Sequence, residues 1–83
     1  MITSRQVRAA RALLGWTQEI LADKALVALT ALKRLESVSD LSVREDTRYQ
    51  VLKALEAAGI VFFDSERGEG VMLVRGALEK SRK

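Results

Sequence analysis

Fourteen Lys and Arg against eleven Asp and Glu, with no histidine and no cysteine, set the chemistry open to this 83-residue chain. Without thiols or imidazoles it has no disulfides, no zinc-ligand set, no thiol nucleophile and no imidazole base. Asp40, Glu45 and Asp46 are acidic residues close in sequence. They stand beside an expected helix start, where carboxylates serve the helix dipole. No catalysis, metal or cofactor is therefore expected. What remains is binding by charge. Residues 1–36 carry six basic and three acidic side chains, and residues 37–83 carry eight of each. The whole net charge of +3 thus sits in the first part of the chain. Such a segment suits a polyanion such as a phosphate backbone.

The length allows one small domain, residues 1–83, with a modest core. Hydrophobic residues make up 48% and charged residues 30%, as in an ordinary globular domain. No apolar run approaches the roughly 18 residues of a membrane span. The start, MITSRQVRAARALLGW, does not read as a signal peptide, because Arg5, Arg8 and Arg11 interrupt its apolar residues. A cytoplasmic location without membrane contact is expected.

The elements that must position these charges follow from capping signals and periodicity. Thr3 with Gln6 forms a capping box, and Val7, Ala10 and Leu14 recur at helical spacing, so a first helix begins near Ser4 and stops at Gly15. Thr17 caps a second helix with Leu21, Ala22 and Ala25 on one face. Trp16, just before the cap, is placed to meet Leu21 as a hydrophobic staple. A four-residue break, Ala25-Leu26-Val27-Ala28, leads to a third helix with Leu32 and Leu35 on its apolar face. A polar loop over 37–41 follows. Ser42 with Glu45 then suggests a capping box for a helix from about Val43 to Ala58, ended by Gly59.

Beyond Gly59 the pattern changes period. Ile60-Val61-Phe62-Phe63 and Val71-Met72-Leu73-Val74 flank a polar, glycine-containing segment, and Gly68 and Gly70 can supply positive φ there. This reads as a β-hairpin over 60–75, followed by a basic tail over 76–83. Both strands are apolar on both faces, whereas a hairpin lying on helices needs only one. A two-stranded sheet is also marginal alone and leaves open edges. A homodimer through the hairpin is expected, with Ile60, Phe62, Val71 and Leu73 at its interface.

Gly15-Trp16-Thr17-Gln18-Glu19, Leu21-Ala22, Lys24-Ala25, Val27 and Arg34-Leu35-Glu36 together resemble the Cro/C1-type (XRE) helix-turn-helix family of phage and bacterial transcriptional regulators. The resemblance covers residues 4–58, with the hairpin as a C-terminal addition. It implies a mainly α fold: a four- to five-helix, lambda-repressor-like domain followed by a β-hairpin. It implies further that Gln18 contacts a DNA phosphate, and that Arg11 pairs with Glu36 across helix one and the recognition helix. Val27, Leu32 and Leu35 fall on core positions, while Leu29, Thr30, Lys33 and Arg34 fall on positions facing the major groove. Arg34 can grip a guanine edge, Leu29 or Thr30 can press on a thymine methyl, and Lys33 suits a phosphate.

Three positions depart from that pattern. Leu26 stands where the family has its turn glycine, and a leucine at positive φ costs on the order of 1–2 kcal/mol. Ala28 replaces the Ser or Thr that caps the recognition helix, at about 1 kcal/mol. Ala31 replaces a small hydroxyl. Two functions therefore compete. The first is a regulator binding double-stranded DNA as a dimer on a pseudo-palindromic operator. The second is a degenerate helix-turn-helix acting as an antiactivator, which binds and inhibits a transcriptional activator through Leu26, Leu29 and Thr30.

Overall fold

A computed structural model describes residues 2–37 and 43–76. Among them are four helices, α1 (Ser4–Leu14), α2 (Gln18–Ala25), α3 (Leu29–Glu36) and α4 (Glu45–Ala57), followed by strands β1 (Ile60–Ser65) and β2 (Gly68–Leu73). The fold is a small, mostly helical domain with one antiparallel hairpin. No helix among these residues is long and apolar enough to cross a membrane.

Local chemistry sets the helix ends. Thr3 Oγ1 accepts the Gln6 backbone N–H at 3.2 Å, and Gln6 Oε1 accepts the Thr3 N–H at 3.0 Å, so the capping box is closed from both sides. Gly15 ends α1 in the left-handed region at φ 71°. Thr17 Oγ1 then accepts the Ile20 N–H at 3.1 Å and starts α2. Leu26 terminates α2 at φ 58°, the only non-glycine with positive φ among the described residues. Ala25 is still helical and buried, so the turn into α3 is Leu26-Val27-Ala28, one residue shorter than the sequence suggests. Ala28 makes no side-chain cap.

The start of α4 differs from expectation. Its N-cap is Arg44, extended at φ −63° and ψ 142° and without a side-chain cap; Ser42, the expected cap, lies outside the described residues. Val43 packs against the core ahead of the helix. Glu45 and Asp46 then supply negative charge in the first turn, and Asp46 Oδ1 accepts the Thr47 N–H at 2.9 Å.

The hairpin is longer and its turn tighter than the apolar runs alone suggest. Ser65 pairs with Gly68, leaving Glu66 and Arg67 as a two-residue turn. Gly68 has positive φ there, but Gly70 does not; Gly70 lies inside β2 opposite Phe63. The expected basic tail, save residue 76, lies outside the described residues.

Among the described residues eleven hydrophobic side chains are buried, Val7, Leu21, Leu32, Val51 and Leu55 with no exposed surface. The four residues expected at a dimer interface pack inward in the chain itself. Ile60 is buried, and Phe62, Val71 and Leu73 pack against the same core. Register explains it: Ile60 lies opposite Leu73 and Phe62 opposite Val71, so all four share the face that rests on the helices. They are spent inside one copy of the chain. The opposite face carries Val61, Phe63, Met72 and Val74, each exposed.

Gln6 ties the hairpin to α1. Its Oε1 serves the capping box, and its Nε2 donates to the carbonyls of Phe63 and Gly70 at 2.9 and 3.0 Å. Glu69 adds a second tie, accepting from Thr3 Oγ1 at 2.8 Å and Arg5 Nε at 2.7 Å.

Candidate nucleic-acid interface

Helix α3 has two unlike faces. Leu32, Leu35 and Glu36 are buried against the domain. Thr30, Lys33 and Arg34 are exposed, and their i, i+3, i+4 spacing puts them on one stripe. The stripe has a hydroxyl, an ammonium and a guanidinium. These groups can bond to phosphate oxygens or base edges.

A buried ionic network fixes that helix. Arg11 Nε lies 2.7 Å from Glu36 Oε2 and Arg11 Nη2 lies 2.8 Å from Glu36 Oε1, a two-point pairing. Glu36 is 4% exposed. Arg11 Nη1 also donates to the Trp16 carbonyl at 3.0 Å, and the Arg8 guanidinium donates to the Glu36 carbonyl. The bonds to Glu36 raise the Arg11 pKa above its ordinary value, against the opposing effect of burial. Arg11 thus joins α1, the α1–α2 junction and the end of α3.

The network also takes Gln18. Its Nε2 donates to Glu36 Oε1 at 3.1 Å, so the side chain implied to reach a phosphate is turned inward to position α3. Leu29, implied to face the major groove, is partly buried and packs against the core. Val27 packs beside it. Leu26 is the opposite case, 81% exposed on the turn. Trp16 packs against the core, as a staple residue should, and carries the Lys24 ammonium 5.7 Å from its ring centroid.

Two neighbours of the stripe escape a reading of the sequence. A shallow cleft of about 260 Å³ separates α3 from the start of α4, lined by Thr30, Ala31, Arg34, Val43, Arg44 and Thr47. It brings exposed Arg44 to the same side as Arg34. The only signal in the sequence is a basic residue just before an acidic helix start, which is too common to single out. Among the described residues no group of acidic side chains is placed to hold a metal ion.

The chain matches no protein-family model, no curated protein and no solved structure.

Proposed function

We propose that this protein is a small cytoplasmic transcriptional regulator of the Cro/C1 type, binding double-stranded DNA with α3 in the major groove. The observation that carries this reading is the exposed stripe of Thr30, Lys33 and Arg34 on a helix whose other face is locked by Arg11 and Glu36. A rigid helix with outward donors is what base readout needs, since contacts must be held in register. Arg44, across the cleft from Arg34, is suited to the flanking phosphate. As a dimer, the protein would set two such helices about 34 Å apart on a pseudo-palindrome. Repression follows where that operator overlaps a promoter. The test is a titration with operator-length DNA at two salt concentrations, wild type beside Arg34→Ala. Binding blind to both sequence and Arg34 counts against the reading.

A second reading rests on Leu26. An apolar side chain held 81% exposed at positive φ on the turn between the helices suits contact with another protein better than contact with phosphate. In this reading the chain is an antiactivator that docks a transcriptional activator beside Leu26 and Thr30. Leu26→Asp separates the two: it abolishes capture of the activator in the second reading and leaves Arg34-dependent DNA binding in the first.

A further inference from the structure

Strand β1 has one edge paired to β2 and one edge bare. Val74 N–H donates to the Gly59 carbonyl at 2.8 Å, and a two-residue turn joins Ser65 to Gly68. Ladder bonds alternate along an antiparallel pair, so Val61 and Phe63 also bond to β2. The N–H and C=O groups of Ile60, Phe62 and Asp64 point the other way. Ile60 is buried, Phe62 half-buried and Asp64 exposed, so the reachable stretch of this edge runs from Phe62 to Asp64. Its main-chain groups meet no partner among the described residues. Beside it lies a groove of about 460 Å³, lined in part by Ile2, Gln6, Leu52, Glu56, Phe62 and Asp64. The Gln6 amide is already spent on Thr3, Phe63 and Gly70. Two carboxylates therefore remain, one toward each end. Glu56 is at the base of β1, where its carbonyl accepts the Gly59 N–H at 3.0 Å, and Asp64 is toward the turn. Glu56 has only the exposed Lys53, at 3.7 Å, and Asp64 has no ion-pair partner among the described residues.

We infer that this edge and groove take an extended, basic segment of another protein as an added strand. Unpaired main-chain groups beside an apolar groove are matched by a strand, which supplies the missing bonds along its length. Alternation then assigns its side chains. Every second one enters the groove on the side of Phe62 and Asp64, and the others face away from the helices. The groove suits an apolar residue beside Leu52 and Phe62, with a Lys or Arg at each end for Glu56 and Asp64. Positions 60 and 64 of β1 are about 13 Å apart, as are two residues four apart in the added strand. The same charges decide against a second copy. β1 carries Asp64 and no basic residue, so two β1 edges laid together gather the Glu56 and Asp64 of both copies. A charge turned inward on an edge strand refuses unselective pairing, and here it refuses a strand that brings no cation. The hairpin packs on α1 and α4, which leaves the Thr30, Lys33 and Arg34 stripe of α3 uncovered. The strand site is therefore separate from the proposed DNA-facing one.

The probe is the end-blocked peptide Lys-Thr-Val-Thr-Lys, titrated into the isotope-labelled full chain and followed by amide NMR. The expected result is a dissociation constant of about 0.1–1 mM, with shifts centred on Phe62 and Asp64 and slower hydrogen exchange of those two amides. Two altered peptides should each bind roughly tenfold more weakly. One carries Glu in place of both Lys. The other is N-methylated at the central Val, which opposite Phe62 can then no longer donate to its carbonyl. Asp64→Asn, at an exposed side chain, is expected to weaken the lysine peptide several-fold, with an unchanged thermal midpoint showing that the fold is kept. Absence of any shift at about 3 mM peptide overturns the proposal. So does undiminished binding of either altered peptide, or of the lysine peptide to Asp64→Asn. Protection of the Phe62 and Asp64 amides without peptide overturns it too. The edge is then covered by a second copy where protection grows with protein concentration, and by the chain itself where it does not. Arg34-dependent DNA binding is measured separately and stands or falls apart from these outcomes.

Discussion

Arg11 and Glu36, 25 residues apart in sequence, meet through two charge-assisted bonds of 2.7 and 2.8 Å with the carboxylate almost wholly buried. The pair fixes the end of the candidate recognition helix against α1, and removing one partner strands a charge. Arg11→Met is expected to cost about 3–5 kcal/mol, a large share of what a domain this small possesses. Arg11→Met with Glu36→Leu removes both charges together and is expected to recover most of that loss. Urea unfolding of the two variants measures the difference. Equal destabilisation by the single and double changes would mean that packing, rather than the stranded carboxylate, sets the cost.

Leu26 is strained and its side chain is 81% exposed, so little core packing is lost when it is removed. Leu26→Gly relieves about 1–2 kcal/mol of left-handed strain and adds up to about 1 kcal/mol of unfolded-state entropy. A net gain of about 0.5–1 kcal/mol is expected, seen as a thermal midpoint several degrees higher. A lower midpoint would show that the leucine makes a contact worth more than its strain. If Leu26 serves a partner protein, the same change stabilises the chain and weakens the complex. The strain would then be retained for function.

The features legible in sequence were those encoded within a few residues. Thr3 with Gln6, Gly15 and Thr17 each announce themselves because caps and turns are local chemistry, whereas the left-handed Leu26 follows only from the family's turn glycine. The Arg11–Glu36 pair spans 25 residues and was reachable only through the family resemblance. Strand periodicity showed that the hairpin has two apolar faces but not which face meets the helices. That choice is made by Gln6 and Glu69, long-range anchors with no signature of their own. The same limit hid the surroundings of Gln18 and Leu29. One bonds to a residue eighteen positions away, and the other is drawn onto the core, so neither fate is written in its neighbours.

Glu69 makes the seating of the hairpin sensitive to acid. The hydrogen bond from Arg5, and after it the one from Thr3, hold its carboxyl below the usual glutamate value. A group with a lowered folded-state pKa stabilises fully above its unfolded value, near pH 4.3, and that contribution fades as pH falls through the folded value. Thermal midpoints of wild type and Glu69→Gln are therefore expected to differ at pH 7 and to converge toward pH 3. Because the Arg5 side chain is largely exposed, salt should narrow the gap at neutral pH as well. Parallel curves across the whole range would leave Glu69 no part in seating the hairpin.

Lys33 and Arg34 are adjacent on the exposed stripe of α3, yet their removal is expected to read differently. Arg34→Ala takes away a fork suited to a guanine edge. It should cost about 1–3 kcal/mol on the preferred operator and much less on unrelated DNA. Lys33→Ala takes away a point charge suited to phosphate. It should weaken all sequences alike and reduce the salt slope of log K by about 1. Arg44→Ala, across the cleft, is expected to behave like Lys33→Ala. Gln18→Ala provides the contrast, because its amide faces Glu36: it should lower the unfolding midpoint while leaving the salt slope unchanged. Fluorescence anisotropy at several salt concentrations, on a selected operator and a scrambled one, resolves all four. If Arg34→Ala and Lys33→Ala weaken both DNAs by the same factor, α3 lies against the backbone and reads no sequence.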